Sequence, residues 1–142
     1  MNLLKRKWIN LKKLSVSYKN GEMTIENKDN CHKLLVYPRV FKNKKNISIT
    51  ACGKVLEGTG CTIKIIDRHR NILGQCGINS KYLNKIESNR YYLIVLYVPA
   101  KSKIVLNELT YEKTDKEIDV VENITADTLL IAPRISFIRK QI

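Results

Sequence analysis

A chain of 142 residues, 44% of them hydrophobic, is long enough for one domain that buries its own core without disulfide or metal cross-links. The 26 basic and 13 acidic side chains give a formal net charge of +13. No apolar run is long enough for a membrane-spanning helix and no secretory signal pattern is present, so the sequence predicts a cytoplasmic protein with one globular unit.

The basic charge is concentrated in the first part of the chain. Residues 1–54 carry 13 basic and three acidic side chains, whereas charges of the two signs are closer to balance afterwards. Such asymmetry is typical of proteins that bind a polyanion, whether nucleic acid, anionic lipid or acidic polysaccharide. The alternative interpretation is compositional, because lysine and asparagine are abundant together, as AT-rich coding sequences produce.

Residues 1–13 have the pattern of a short basic amphipathic helix. Leu4, Trp8 and Leu11 recur at helical spacing among cationic side chains. The predicted contact residues for an anionic membrane or another polyanion are Lys5, Arg6, Lys7, Trp8, Lys12 and Lys13. The protein would then lie peripherally at the inner face of the membrane. The alternatives are a leader helix that packs Trp8 on its own domain, or a frayed tail.

Alternation of apolar and polar residues begins at Leu14 and predicts β-strands along most of the chain. Asn20-Gly21 is typical of a two-residue hairpin turn, so the segments on either side of it are predicted to pair. Polar loops are predicted at residues 42–46 and 79–89. About eight antiparallel strands, without a convincing central helix, predict an all-β jelly-roll β-sandwich over residues 14–112.

The run from Arg90 to Val98 is apolar on both of its faces. We assign Ile94, Leu96 and Val98 to the core, which leaves a face with tyrosines that needs a cover or a ligand. If residues 99–102 close a simple hairpin, tyrosine rings lie beside a carboxylate and a hydroxyl, an arrangement suited to a sugar. The predicted carbohydrate-binding residues are Tyr91, Tyr97, Glu108 and Thr110.

Two alternatives remain open for this carbohydrate site. Tyrosines in sandwich strands commonly pack in sheet contacts instead of facing a ligand. In addition, the pairing with Glu108 fails if the last two strands belong to opposite sheets, as jelly-roll winding permits.

The sequence offers few groups for catalysis or metal binding. The four cysteines, at positions 31, 52, 61 and 76, form no CxxC pair and are interpreted as reduced core thiols. A metal site built from Cys31, His32, another thiol and His69 fits no common ligand spacing, so neither metal nor cofactor is predicted. No pattern assembles a nucleophile with an oriented base, so no catalytic residue is predicted. Nucleic-acid signatures are also lacking, which makes nucleic acid an unlikely partner.

Three segments carry a family resemblance: residues 47–55, residues 61–67 with 71–74, and residues 104–111. They resemble the carbohydrate-binding-like jelly-roll modules of Firmicutes cell-surface glycan proteins. Over about residues 14–133 the chain is similar to the accessory β-sandwich that precedes a bacterial GT-B type glycosyltransferase. The resemblance implies a non-catalytic, carbohydrate-binding-like accessory domain whose partners are a glycan or polysaccharide and a glycosyltransferase catalytic domain.

Residues 113–142 are predicted to be a linker and the truncated start of a missing domain. In the family, a strand like residues 127–133 opens the catalytic half, but this sequence ends nine residues after Pro133. The nucleotide-sugar site is therefore expected to be absent, and the sequence predicts no enzyme activity. The competing hypothesis is a structural interaction module that docks on a catalytic domain.

Overall fold

The computed structural model describes residues 1–43, 46–85, 90–113 and 119–121. Within these ranges the backbone forms eleven strands and no helix, which confirms the predicted all-β class. The strands are β1 (Ser15–Lys19), β2 (Glu22–Asn27), β3 (Lys33–Val36), β4 (Val40–Asn43), β5 (Asn46–Glu57), β6 (Thr62–Asp67), β7 (Ile72–Gly77), β8 (Ser80–Lys85), β9 (Arg90–Val98), β10 (Ser102–Lys113) and β11 (Asp119–Val121).

The strands form two antiparallel sheets, here called sheet A and sheet B. Sheet A has the order β1-β2-β10-β5-β8, and sheet B has the order β11-β4-β9-β6-β7. Strand β3 also belongs to sheet B, where it pairs with the second half of β9 while β4 pairs with its first residues. Together β3 and β4 therefore act as one interrupted neighbour of β9.

The pairing is nested along the chain in the manner of a jelly roll. Strand β6 pairs with β7, and β5 with β8 on either side of that hairpin. Outside these, β3 and β4 pair with β9, and β2 pairs with β10. A long antiparallel hairpin wound across two sheets produces this order. The predicted jelly-roll β-sandwich is confirmed, with β1 and β11 as additional strands.

The main core lies between the sheets and is built by alternate residues of each strand. Ile94, Leu96 and Val98 of β9 are completely buried there, which confirms their assignment to the core. Three aromatic rings link the sheets, since Phe41 of β4 lies 4.8 Å from the ring of Tyr111 and 5.6 Å from that of Tyr92. The hydroxyls of Tyr92 and Tyr111 share a buried hydrogen bond of 2.7 Å.

Several local predictions are settled by the backbone. The hairpin at Asn20-Gly21 is confirmed, with both residues at positive φ, as a two-residue turn requires. The loops predicted at 42–46 and 79–89 are wrong in part, because β4 and β8 occupy them. Strand β4 pairs with β9 and strand β8 pairs with β5 through their backbones. Backbone pairing of this kind cannot be predicted from a polar sequence.

The predicted linker and domain start at residues 113–142 fall largely outside the described residues. Strand β11, which lies within this stretch, pairs with β4 and so joins sheet B. The apolar run at residues 129–133 lies outside the described residues, as do the Arg134–Ile142 positions that follow it.

Residues 1–13 form a non-helical strap, with two turns, across the edge of the sandwich. Asn2 makes a β-bridge with Thr110 of sheet A, and Ile9 makes one with Val36 of sheet B. The predicted helix is therefore wrong. Isolated helices of this length are marginal, whereas the free edges of β10 and β3 supply partners for the backbone amides.

Trp8 anchors this strap in the core. Its side chain is 5% exposed, and its indole N–H donates to the Leu3 carbonyl oxygen at 2.9 Å. Its ring meets Tyr37 edge-on with centroids 5.3 Å apart. The backbone N–H of Trp8 also donates to the Tyr18 hydroxyl at 2.9 Å. Trp8 therefore packs on its own domain, which was the alternative to membrane contact.

Replacing Trp8 by alanine should destabilise the fold, because it removes a buried ring and its hydrogen bond. We expect the free energy of unfolding to fall by about 3–5 kcal/mol. Urea denaturation followed by far-ultraviolet circular dichroism would measure it. The control is Leu11→Ala in the same strap, since Leu11 is 38% exposed and its loss should change stability by no more than about 0.5 kcal/mol. Equal effects of the two substitutions would contradict the anchoring role of Trp8.

Candidate functional site

The four residues of the predicted carbohydrate site are not brought together. Strands β9 and β10 lie in different sheets, so the hairpin predicted between them is wrong. Tyr97 pairs with Leu34 of β3, whereas Glu108 pairs with Cys52 of β5. Tyr91 and Tyr97 of β9 face outward from sheet B, and Glu108 faces outward from sheet A. The whole thickness of the sandwich separates them.

Glu108 and Thr110 have other partners on the outer side of sheet A. A hydrogen bond to the Glu108 carboxylate, together with partial burial, raises the pKa of the Cys52 thiol. Thr110 lies opposite Thr50 of β5 and bridges to Asn2 of the strap. The Glu108 carboxylate and the Thr110 hydroxyl therefore lie on a surface that neither of the predicted aromatic residues, Tyr91 and Tyr97, shares.

Tyr97 lies between two basic side chains on the outer side of sheet B. The His32 imidazole stacks on the Tyr97 ring at 4.5 Å between centroids, with 20° between the planes. The Lys64 ammonium lies 4.1 Å from the same ring centroid. His32 precedes β3 and Lys64 lies in β6, so they approach from opposite sides of β9. A sugar stacking on Tyr97 would compete with these contacts.

The middle of this outer face is apolar and shielded. Its six central side chains are at most 3% exposed, and Ile9, Tyr91 and Tyr97 pack against them: Leu34, Val36, Val40, Ile66, Leu93 and Val95. The face that was expected to need a cover or a ligand is therefore covered at its centre. Ile9, Tyr91 and Tyr97 are partly buried there, and the Lys42 ammonium lies 5.4 Å from the Tyr91 ring centroid.

The predicted polyanion-contact residues divide into two groups. Lys5, Arg6 and Lys7 are exposed on the turn of the strap between its anchored ends, and Lys12 and Lys13 are exposed on a second turn. Trp8 is buried and cannot reach a lipid headgroup without leaving the core. In the described part of the chain, no helix is long and apolar enough to cross a membrane.

A polar depression that the sequence analysis missed lies on the outer side of sheet A. Its volume is about 530 Å³, and its lining combines hydroxyl, carboxylate and ammonium groups: Leu14, Ser15, Val16, Ser17, Thr24, Glu26 and Lys103. Strand register places Ser15, Glu26 and Lys103 in one row across β1, β2 and β10. The sequence indicates this depression only through the polar residues of the first hairpin, and a solvent-exposed strand face has the same polar pattern.

The Cys61 and Cys76 thiols are poorly suited to nucleophilic chemistry. Burial raises the pKa of Cys61 to about 12, and burial also raises that of Cys76. A thiol with so high a pKa holds almost no thiolate near neutral pH. Cys31 is exposed, in contrast to its predicted place in the core. The described residues contain no group of three or more side chains that could hold a metal ion.

Comparison with known proteins identifies the fold. No protein-family model matches the chain, and no curated protein matches it. A chain in the crystal structure of accessory secretory proteins 1, 2 and 3 from Streptococcus pneumoniae aligns with a TM-score of 0.51 and 12% identity, over 78% of this chain and 98% of that one. A chain of the glycosylation-associated protein complex from Streptococcus agalactiae aligns with a TM-score of 0.52 and 11% identity, over 82% of this chain. This chain spans 48% of the second one. At these identities the likeness shows the fold alone.

The burial of Trp8 predicts how the chain responds to anionic vesicles. Attraction through the exposed lysines is electrostatic and should weaken as salt is raised. The emission maximum of Trp8, the single tryptophan, should stay unchanged when anionic vesicles are added at low salt, because the ring is already in an apolar site. Tryptophan fluorescence with and without vesicles measures this. A vesicle-dependent shift would show that Trp8 leaves the core and would restore the membrane-docking hypothesis.

Proposed function

We propose that this chain is a non-catalytic accessory protein of glycan assembly or protein glycosylation, and that it acts by binding other proteins. The observation that carries the proposal is the match of this jelly roll to 98% of a chain from a structure of accessory secretory proteins. The second similar structure is a complex of glycosylation-associated proteins, so a chain that shares this fold is a component of a protein assembly there.

Features of the surface are suited to such a role. Val55, Leu56 and Ile72 are about half exposed, and large apolar side chains of this kind are common in protein interfaces. The exposed lysines of the strap add a cationic surface on a well-anchored segment. The resemblance of the sequence to an accessory sandwich of GT-B type glycosyltransferases supports a catalytic transferase domain as the partner. We place the complex in the cytoplasm, at the inner face of the membrane where the strap contacts anionic lipid.

Reconstitution tests this function. The full chain would be purified with its partner from the native host, and the complex would then be rebuilt from separately purified components. We expect a complex of fixed stoichiometry by light scattering, and a sugar-transfer activity that resides in the partner and rises when this chain is added. Transfer from nucleotide-sugar donors by the isolated chain, or no complex with any glycosylation component, would contradict the proposal.

Glycan binding is the second candidate function, and the polar depression on sheet A favours it. Hydroxyl, carboxylate and ammonium groups in one row match the hydrogen-bonding groups of a sugar. The partly buried Tyr91 and Tyr97 on sheet B are the alternative location. The two locations lie on opposite faces of the sandwich and can be distinguished by substitution.

Titration of the chain with cell-wall and capsular glycans tests this candidate. Loss of a hydrogen bond to a charged group costs about 1.5–3 kcal/mol, so Glu26→Ala, which removes the carboxylate, should weaken binding roughly tenfold or more if the depression is the site. Tyr97→Ala should then have no effect, and the opposite result would place the site on sheet B. Calorimetry measures both affinities. Absence of saturable binding to any of these glycans would remove the candidate.

A further inference from the structure

Strand β1 is the edge strand of sheet A, where among the described strands it pairs with β2 alone. Lys19 and Glu22 flank the two-residue turn, so they form a hydrogen-bonded pair, and Ser17 belongs to the next such pair. The backbone N–H and C=O groups of the residues in between, Val16 and Tyr18, therefore point away from β2. They form the free edge of the sheet.

The Asn10 side chain shows how this edge can be paired. Its carboxamide donates to the Leu14 carbonyl oxygen at 2.7 Å and accepts from the Leu14 backbone N–H at 2.9 Å. A peptide group of a neighbouring strand makes the same kind of contact. Leu14, Val16 and Tyr18 follow one another at two-residue intervals and all pack on the main core, so their backbone groups face the same side. Among the described residues, no second strand pairs with the outward groups of Val16 and Tyr18.

A groove lies between the strap and this edge. Its volume is about 400 Å³, within the usual range of roughly 300–1,000 Å³ for binding clefts. The strap is joined to β1 here through a side chain, because the backbone N–H of Trp8 donates to the Tyr18 hydroxyl and not to the β1 backbone. Space beside the backbone of β1 is therefore left for another chain. The residues that line this edge groove are Lys7, Trp8, Asn10, Val16, Ser17 and Tyr18.

The charges at the edge groove are cationic. Lys7 lines it and Lys19 ends β1, and both side chains are exposed. The acidic side chains of the same hairpin, Glu22 and Glu26, lie on β2, one strand farther from the edge. The groove therefore favours an acidic partner. Two copies of this chain would bring like charges together, in a protein with a formal net charge of +13.

We propose that the free edge of β1 binds an extended acidic segment of a partner protein, which lies in the edge groove and adds to sheet A as a further strand. The backbone groups of Val16 and Tyr18 supply the hydrogen bonds, as in other cases of strand addition, and flanking side chains supply selectivity. Lys7 and Lys19 select for carboxylates on the added strand. The inference rests on the proposed function in that it assigns a surface to the protein partner.

Synthetic strands provide a direct test. Two seven-residue peptides, one alternating valine with glutamate and one alternating valine with lysine, would be added to the full chain labelled with ¹⁵N. We expect the glutamate peptide to slow hydrogen exchange saturably at the amides of Val16 and Tyr18, and the lysine peptide to have no effect. The Ser17 amide is the internal control, because it already bonds to β2 and should change little. Binding at another surface, equal effects of the two peptides, or no binding of the glutamate peptide would each overturn the proposal.

Matched substitutions on one turn of the strap sharpen the test. Lys7→Glu reverses a charge inside the edge groove and should weaken binding of the glutamate peptide about two- to fivefold, in line with the modest energies of exposed charge pairs. Lys5→Glu makes the same change at an exposed residue outside the groove lining and should have little effect at about 0.15 M salt, where screening acts over about 8 Å. Thermal unfolding of both variants verifies the fold. Equal weakening by both would show unspecific attraction to the strap and overturn the assignment.

The same variants separate this inference from the proposed function. If the reconstituted complex has the same affinity with Lys7→Glu as with the unsubstituted chain, the accessory function stands and the assignment to β1 is wrong. If the glutamate peptide binds β1 but no complex with a glycosylation component forms, the proposed function is wrong and the edge groove serves another acidic partner.

Discussion

Burial of both faces of β9 is the constraint on which the rest of this structure depends. The strand presents apolar side chains on its two sides, so it requires neighbours in the plane of the sheet and cover above and below it. Strands β3, β4 and β6 supply the neighbours, and sheet A covers the inner face. On the outer face, Leu93 and Val95 are shielded within a second apolar cluster. A central position in one sheet of a two-layer sandwich satisfies all of these requirements.

The strap at the amino terminus likewise buries its apolar side chains, at the edge of the sandwich. Its apolar residues Leu3, Leu4 and Trp8 enter the main core, while the cations between them remain in solvent. Backbone bridges to both sheets hold the segment in place. Positive charge is thus displayed on an anchored turn, with little conformational freedom to lose when a partner binds. Lys5, Arg6 and Lys7 are exposed on this turn, whereas Trp8 is buried.

Sequence reasoning reached the fold class but not the site, and the two outcomes have different physical causes. Turn residues and the alternation of apolar and polar side chains are local features of a sequence. The Asn20-Gly21 hairpin and the inward residues of β9 could therefore be predicted from them. Which sheet a strand joins depends on contacts far along the chain, and the loop at residues 99–102 serves a hairpin or a crossing between sheets equally well. The proposed meeting of Tyr97 with Glu108 failed for that reason. The spacing of Leu4, Trp8 and Leu11 was misleading, because apolar residues on a non-helical strap can fall at helical spacing by chance; only Leu4 and Trp8 are buried, and Leu11 is exposed.

The fold and the surface of this jelly roll are constrained to different degrees, which is consistent with its low sequence identity to the similar structures. A core needs only apolar residues of suitable volume at alternate positions, so 12% identity is enough to retain the sandwich. The outer surfaces are not constrained in this way. Here one sheet carries a polar depression and the other carries tyrosines in contact with cations. Such exposed residues are not fixed by the fold, so similarity of fold does not transmit them from one protein to another.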